Sequence, residues 1–161
     1  MNALKYFLGT GFYSGLIPKA PGTAGSVTAL LIILGIIYAQ NYLFLILFLI
    51  ISCLGSVWVA SYFEKNFGKD PGKMVIDEWA GQALTFIAIS FSGDLYSDII
   101  ILLTGFILFR FFDILKPLGI HKVQNLGGGF GILADDLLAG LYALICLKTL
   151  IFMWPNLFGM A

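Results

Sequence analysis

Long apolar runs separated by short polar breaks dominate the chain, and most of the runs have the length of a helix. A stretch without Asp, Glu, Lys or Arg extends from Ala20 to Tyr62 and is interrupted near its middle by Gln40-Asn41. A helix rises ~1.5 Å per residue and a bilayer's hydrocarbon core is ~30 Å thick, so one crossing needs about 20 residues. The stretch therefore predicts two crossings, Gly25 to Ala39 and Tyr42 to Phe63, joined by a tight turn at the Gln-Asn pair. A third run, Met74 to Ser92, reaches spanning length only when Asp77 and Glu78 are included. Ile99 to Leu115 makes a fourth, with Arg110 and Asp113 near its end, and Leu133 to Trp154 a fifth, with Asp135 and Asp136 near its start. The opening segment Ala3 to Ile17 is apolar but too short and Gly-rich to cross, and is expected to form an interfacial or re-entrant helix. The predicted fold is all-α: a polytopic helical membrane protein of about five crossings, in a single domain over residues 1–161. Trp79, Trp154 and several Tyr residues near span ends fit an aromatic belt.

Composition agrees with the pattern. Of the 161 residues, 60% are apolar and only 11% charged, against roughly 25% charged in ordinary soluble domains. Nine basic and nine acidic residues leave a formal net charge of zero, so there is no basic excess of the kind a nucleic-acid partner requires. Disorder is excluded by the same numbers. Cys53 and Cys146 both sit in apolar runs and indicate no disulfide framework. No internal repeat, low-complexity tract or linker is visible, and no small-residue cleavage site points to a removed signal peptide.

Five crossings would place Lys5, Lys19, Lys65, Lys69, Lys73, Arg110, Lys116 and Lys122 on one side and only Lys148 towards the other. By the positive-inside rule the first side is cytoplasmic. Glu64, Asp70, Asp77, Glu78, Asp113, Asp135 and Asp136 fall on that same side, with Asp94 and Asp98 opposite. The mixed sign argues for chemistry rather than a polybasic lipid tether.

Asp77-Glu78, Asp113 and Asp135-Asp136 are the carboxylates of interest. A carboxylate inside a span costs roughly 2.5–3.5 kcal/mol on insertion scales and so faces a partner or water. These acids could cap helix starts and pair with Lys or Arg, or share a divalent metal, for which all-oxygen ligation favours Mg²⁺, Mn²⁺ or Ca²⁺ over zinc. Three groups converging on one face tilt the balance towards metal. Arg110, Asp113 and Lys116 are spaced three apart and share a helical face if the helix continues to Pro117. They form either a salt-bridge ladder or a set in which Asp113 binds metal while Arg110 and Lys116 grip an anionic substrate. Two Gly-rich segments, Pro18 to Ser26 and Gly127 to Gly131, could aim backbone N–H groups at phosphate. Thr23 and Ser26 would add hydroxyl donors or simply cap the helix. His121, the sole histidine, is expected to be incidental.

Four motifs in order, Pro18-Lys19-Ala20-Pro21-Gly22-Thr23-Ala24-Gly25-Ser26, Asp77-Glu78-Trp79-Ala80-Gly81-Gln82, Phe109-Arg110-Phe111-Phe112-Asp113-Ile114-Leu115-Lys116-Pro117 and Gly131-Ile132-Leu133-Ala134-Asp135-Asp136-Leu137-Leu138-Ala139-Gly140, resemble the phosphatidylglycerophosphatase A family from about Gly11 to Tyr142. The resemblance implies a bacterial inner-membrane, Mg²⁺-dependent phosphatase that converts phosphatidylglycerophosphate, a phospholipid of the bilayer, to phosphatidylglycerol and inorganic phosphate. On that reading Asp77, Glu78, Asp113, Asp135 and Asp136 supply the metal ligands and catalytic carboxylates. Lys19, Gly22, Thr23, Ser26, Arg110 and Lys116 bind the substrate. The rival classes are a small transporter or channel subunit, whose sites usually lie near the midplane, and another phospholipid-headgroup enzyme such as a CDP-linked alcohol phosphotransferase.

Overall fold

The computed structural model describes residues 2–68, 71–117, 119–123 and 128–160, and within these every regular element is helical. In chain order they are α1 (Asn2–Gly9), α2 (Pro21–Tyr38), α3 (Tyr42–Phe67), α4 (Ile76–Phe86), α5 (Leu95–Leu115), α6 (Ile120–Val123) and α7 (Gly128–Met153), with 3₁₀ turns at Ser14–Leu16 and Pro155–Phe158. Among the described residues three helices are long and apolar enough to cross a membrane: α2, α3 and, from Gly129, α7. The count of about five is not matched on those terms. The run expected to span from Met74 to Ser92 is helical only over the 11 residues of α4, about 16 Å at the usual rise. α5 has 21 residues but carries Asp98, Arg110 and Asp113. Large apolar side chains face outwards along α2, α3, α5 and α7, among them Leu31, Leu54, Ile107 and Phe152. A water-soluble monomer seldom exposes so much apolar surface.

α4 is the central helix, packed on α7, α3, α2 and α5, and only Glu78 and Leu84 escape full burial within it. Its polar row, Glu78, Gln82 and Thr85, therefore faces the inside of the bundle and not solvent. α4 and α7 run side by side in the same direction, and two glycines set their separation. A Cβ on Gly140 would overlap the Gly81 backbone, and a Cβ on Gly81 would lie 2.7 Å from the Asp136 carbonyl oxygen and crowd the Phe109 ring. Small residues at such a crossing let two backbones approach closely in the membrane. Gly129 does the same against α3, where its absent Cβ would sit 2.5 Å from that of Ala60.

The N-terminal segment holds the start of α4 in place. α1 lies along the end of α3, with Tyr6 stacked on Phe63 (ring centroids 6.1 Å apart) and Lys5 Nζ donating to the Trp58 carbonyl at 3.2 Å. The Val75 N–H donates to the Gly9 carbonyl at 2.8 Å, and the fully buried Val75 side chain fits against Gly11, Gly15 and Gly25. The expected interfacial opening segment is thus a short helix and a 3₁₀ turn, with Leu4, Tyr13 and Ile17 exposed. Trp79 departs from the aromatic-belt expectation. It is 5% exposed and packs on Phe12 and Phe48, so it belongs to the core, whereas Trp154 is exposed.

α5 starts on a conventional cap: the Asp94 carboxylate accepts from the Ser97 N–H and hydroxyl, both at 2.9 Å. The backbone bond, then the hydroxyl bond, lower the Asp94 pKa below the ordinary carboxylate value. A depressed folded-state pKa gives stability that is present above the unfolded value and is lost as pH falls through the folded one. Asp94→Ala should therefore lower the melting temperature in detergent at neutral pH. The gap to wild type should close on acidification, and Asp94→Asn should show a smaller pH dependence than wild type. Gly140→Val should destabilise the fold by about 1–3 kcal/mol through overpacking. Gly35→Ala, where a Cβ meets nothing within 4 Å, should stabilise helix α2 by ~0.5–1 kcal/mol, both read by thermal unfolding.

Candidate active site

The starts of α2, α4 and α7 and the end of α5 meet at one end of the bundle, and the sequence places an acid or a phosphate-binding candidate on each. Asp77 and Glu78 sit in the first turn of α4. Asp136 lies on the α7 face turned towards α4, one helical turn before Gly140. One carboxylate oxygen from each of Asp77, Glu78 and Asp136 lies within 4.8 Å of the other two. Asp77 and Asp136 are 4% and 5% exposed, and Asp77 Oδ1 and Glu78 Oε2 are buried without a hydrogen-bond partner. Three ionised carboxylates so close, away from water, repel one another unless a cation or shared protons intervene. The unpartnered oxygens and the all-oxygen donor set fit a hard divalent cation. This acidic cluster could hold a metal ion.

The other two acids of the expected set are occupied by cations. The Asp113 carboxylate accepts from Arg110 Nη1 at 2.6 Å across one turn of α5. Asp135, 4% exposed, is ion-paired with Lys116. Of the salt-bridge ladder, one of the two readings along α5, only the Arg110–Asp113 rung forms, because the helix ends at Leu115 and Lys116 turns into the left-handed region at φ 44°, ψ 47°. That turn redirects its side chain from α5 to α7. Burial pulls the Lys116 pKa down, but the bond it donates to Asp135 and the charges of Asp135, Asp136 and Asp113 outweigh it and leave the pKa raised. Its ammonium is therefore charged at neutral pH.

Arg110 joins this cation–acid layer to α2. Its Nη1 also donates to Ser26 Oγ at 3.4 Å, while the Ser26 hydroxyl donates to the Gly22 carbonyl at 2.8 Å. Ser26 therefore braces the arginine and does not cap α2; residue Ala20 at the N-cap makes no side-chain cap bond. Gly22 is where the components meet. A Cβ there would strike Glu78 Oε1 and press on both terminal nitrogens of Arg110 at 3.3 Å. Thr23 is half-buried in the first turn of α2, and Lys19 is exposed just before it. The second Gly-rich segment is not a phosphate loop over its described residues: Gly128 to Gly131 are already helical, and Gly129 serves packing. Lys69, Asp70 and Gly127 lie outside the described residues, as do the side chains of His121 and Lys122.

Two polar residues near the cluster carry no obvious sequence signal. Gln82 is fully buried, with neither side-chain amide atom partnered, and the Trp79 indole nitrogen is likewise buried and unpartnered. The available clue was their place in the Asp77-to-Gln82 motif, with Gln82 one turn beyond Glu78. A cavity of about 690 Å³ opens at the opposite end of the bundle, beside Tyr38, Gln40, Asn41, Ser92 and Asp98, and shares no residue with the carboxylate cluster. Asp98 there accepts from the Ser92 N–H at 2.8 Å, the Ser92 hydroxyl at 2.9 Å and the Gly93 N–H at 3.2 Å, which accounts for it structurally.

The family model described as Phosphatidylglycerophosphatase A matches residues 7–151. The chain belongs to that family. Phosphatidylglycerophosphatase A of Haemophilus influenzae is 39% identical over 145 residues, covering 87% of this chain and 84% of the relative. Phosphatidylglycerophosphatase A of Escherichia coli is 32% identical over 152 residues, covering 93% and 85%. A Bacteroides thetaiotaomicron protein named "Putative phosphatidylinositol-3-phosphatase" is 36% identical over 150 residues, covering 91% and 92%. No solved structure matches. As a member of the phosphatidylglycerophosphatase A family the chain is a phosphatase, and the residues the family match spans include every carboxylate described above.

If the cluster binds a cation, Mn²⁺ titration followed by electron paramagnetic resonance should show one tight site in purified protein. Asp77→Asn and Asp136→Asn should each weaken it by at least about tenfold, since even residues that only support ligands are worth that much. Asp94→Asn should leave it unchanged.

Proposed function

We propose that this protein is a Mg²⁺-dependent lipid phosphatase that hydrolyses phosphatidylglycerophosphate to phosphatidylglycerol and inorganic phosphate. We place it in the bacterial inner membrane, with its active site at the cytoplasmic face. The family match supports the reaction class, and the excess of Lys and Arg at the carboxylate end supports the orientation. One observation carries the site assignment: at Gly22 the absent side chain would touch both a cluster carboxylate and the guanidinium of Arg110. A cation-binding group and a phosphate-binding group therefore border the same small space.

Asp77, Glu78 and Asp136 would hold the Mg²⁺, with Asp113 and Asp135 close behind as the partners of Arg110 and Lys116. When bound, the ion supplies Lewis-acid polarisation of a phosphoryl oxygen. The chain's own groups do the rest. Arg110 releases Asp113 and takes two phosphoryl oxygens through its planar fork. Lys116 adds a point charge, and Lys19 draws the anionic headgroup to the mouth. The free N–H groups at the start of α2, around Gly22 and Thr23, face the charge that builds on the phosphoryl oxygens. A water attacks phosphorus in line with the glycerol oxygen, the P–O bond to glycerol breaks, and a cluster carboxylate accepts the water's proton. The same carboxylate then returns that proton to the departing glycerol oxygen, which leaves as the alcohol, while the water's other proton stays on the released phosphate. The acyl chains stay in the bilayer throughout, since only the phosphomonoester must reach the polar end of the bundle.

The relative named for a phosphatidylinositol phosphate makes that lipid the alternative substrate. Phosphate release by purified protein should be measured on phosphatidylglycerophosphate, phosphatidylinositol-3-phosphate and phosphatidic acid, with Mg²⁺ and with chelator. Turnover should be fastest on phosphatidylglycerophosphate and should stop with chelator. Arg110→Ala should lower kcat about 10²–10³-fold, the usual cost of deleting one transition-state donor. Faster turnover of the inositol lipid would reassign the substrate, and undiminished release under chelation would remove the metal from the account.

A further inference from the structure

Four buried polar atoms around the proposed phosphate-binding face make no hydrogen bond: Glu78 Oε2, Gln82 Oε1, Gln82 Nε2 and Arg110 Nε. Buried polar atoms are nearly always paired, and each orphan calls for an explanation. These four are complementary, two donors and two acceptors. Gln82 is four residues beyond Glu78 on α4, so both side chains leave the same face of the helix, one turn apart. That face meets α2, where Gly22 adjoins Glu78 and Arg110, and Ser26, one turn beyond Gly22, is bonded to Arg110. On α5 the residue before Arg110, Phe109, presses its ring on Gly81, the residue before Gln82 on α4.

We propose that Gln82 is a positioning residue: its amide accepts from Arg110 Nε and donates to Glu78 Oε2 when the guanidinium leaves Asp113 for a phosphomonoester. In the present structure the Arg110 fork is turned towards Asp113 at 2.6 Å, and Nε has no acceptor. Swinging both terminal nitrogens onto phosphate removes the Asp113 restraint, and a second restraint is needed to hold the plane. A carboxamide meets that need with an acceptor for Arg110 and a donor for the carboxylate, adding no charge to a site already rich in it. The inference rests on the reading of Arg110 as the phosphate ligand.

Arg110 is the only arginine in the sequence, so protein labelled with ¹⁵Nε-arginine gives a single Nε–H resonance. Mg²⁺ and inorganic phosphate are titrated into wild type, Gln82→Leu and Gln82→Glu, each first checked for a wild-type melting temperature. In wild type, phosphate should shift the resonance and slow its solvent exchange by about tenfold, the protection one buried hydrogen bond of ~1.4 kcal/mol supplies. Gln82→Leu should show the shift without the slowing, and Gln82→Glu, which keeps an acceptor, should restore it. Equal slowing in wild type and Gln82→Leu would overturn the bridge while leaving Arg110 as the phosphate ligand. No shift in wild type would overturn both. If Gln82→Leu does not fold, Gln82→Met, an unbranched side chain of similar length, takes its place under the same criteria.

Discussion

The close parallel approach of α4 and α7 governs everything at the polar end of the bundle. It exists because Gly81 and Gly140 present no side chains to each other. One turn towards the polar end from each glycine stands a carboxylate, Asp77 on α4 and Asp136 on α7. Two helices that touch backbone to backbone at the glycines bring those acids to within ligand distance of one another and of Glu78. Larger side chains at the crossing would separate the helices, and the carboxylates with them. The dense apolar packing deeper in the bundle, with the fully buried Phe86, Ile101 and Leu147 in one cluster, holds the crossing in register.

Placing so many acids together is electrostatically costly, and the structure meets the cost in two different ways. Asp113 and Asp135 are matched one to one with Arg110 and Lys116. Asp77, Glu78 and Asp136 form the remaining trio, which includes buried oxygens without partners. The division is also one of function under the proposed mechanism. The paired acids hold two cations beside the site until a phosphate draws Arg110 away from Asp113, and the trio offers a hard cation its oxygen ligands. Ser26 and Gly22 connect the halves, since the first braces Arg110 and the second leaves the room in which phosphate, metal and guanidinium can meet.

Much of the fold was legible in the sequence, because apolar runs bounded by polar breaks dictate helices in a bilayer. The run from Tyr42 became α3 and the run ending at Leu115 became α5, with shifts of a few residues at the other ends. α4 was the exception. The apolar stretch Ile87 to Ser92 concealed the end of the helix at Phe86, and the polar row of Glu78, Gln82 and Thr85 faces the bundle interior, since nearly every residue of α4 is buried. Within the site, the convergence of acids on one end was readable from topology alone. Their division into pairs and trio was not, because it depends on one left-handed residue, Lys116, that swings a side chain between helices. Gln82 stood within a motif yet drew no notice, because a neutral amide in an apolar helix announces itself only when its burial and lack of partners are known.

The central claim is that Asp77, Glu78 and Asp136 jointly hold one divalent cation beside Arg110. A crystal structure of the protein grown with Mn²⁺, with anomalous diffraction collected near the manganese edge, tests it most directly. The account predicts one dominant anomalous peak bounded by oxygens of all three residues. A peak elsewhere in the bundle, or three acids bonded among themselves with no peak between them, would contradict it.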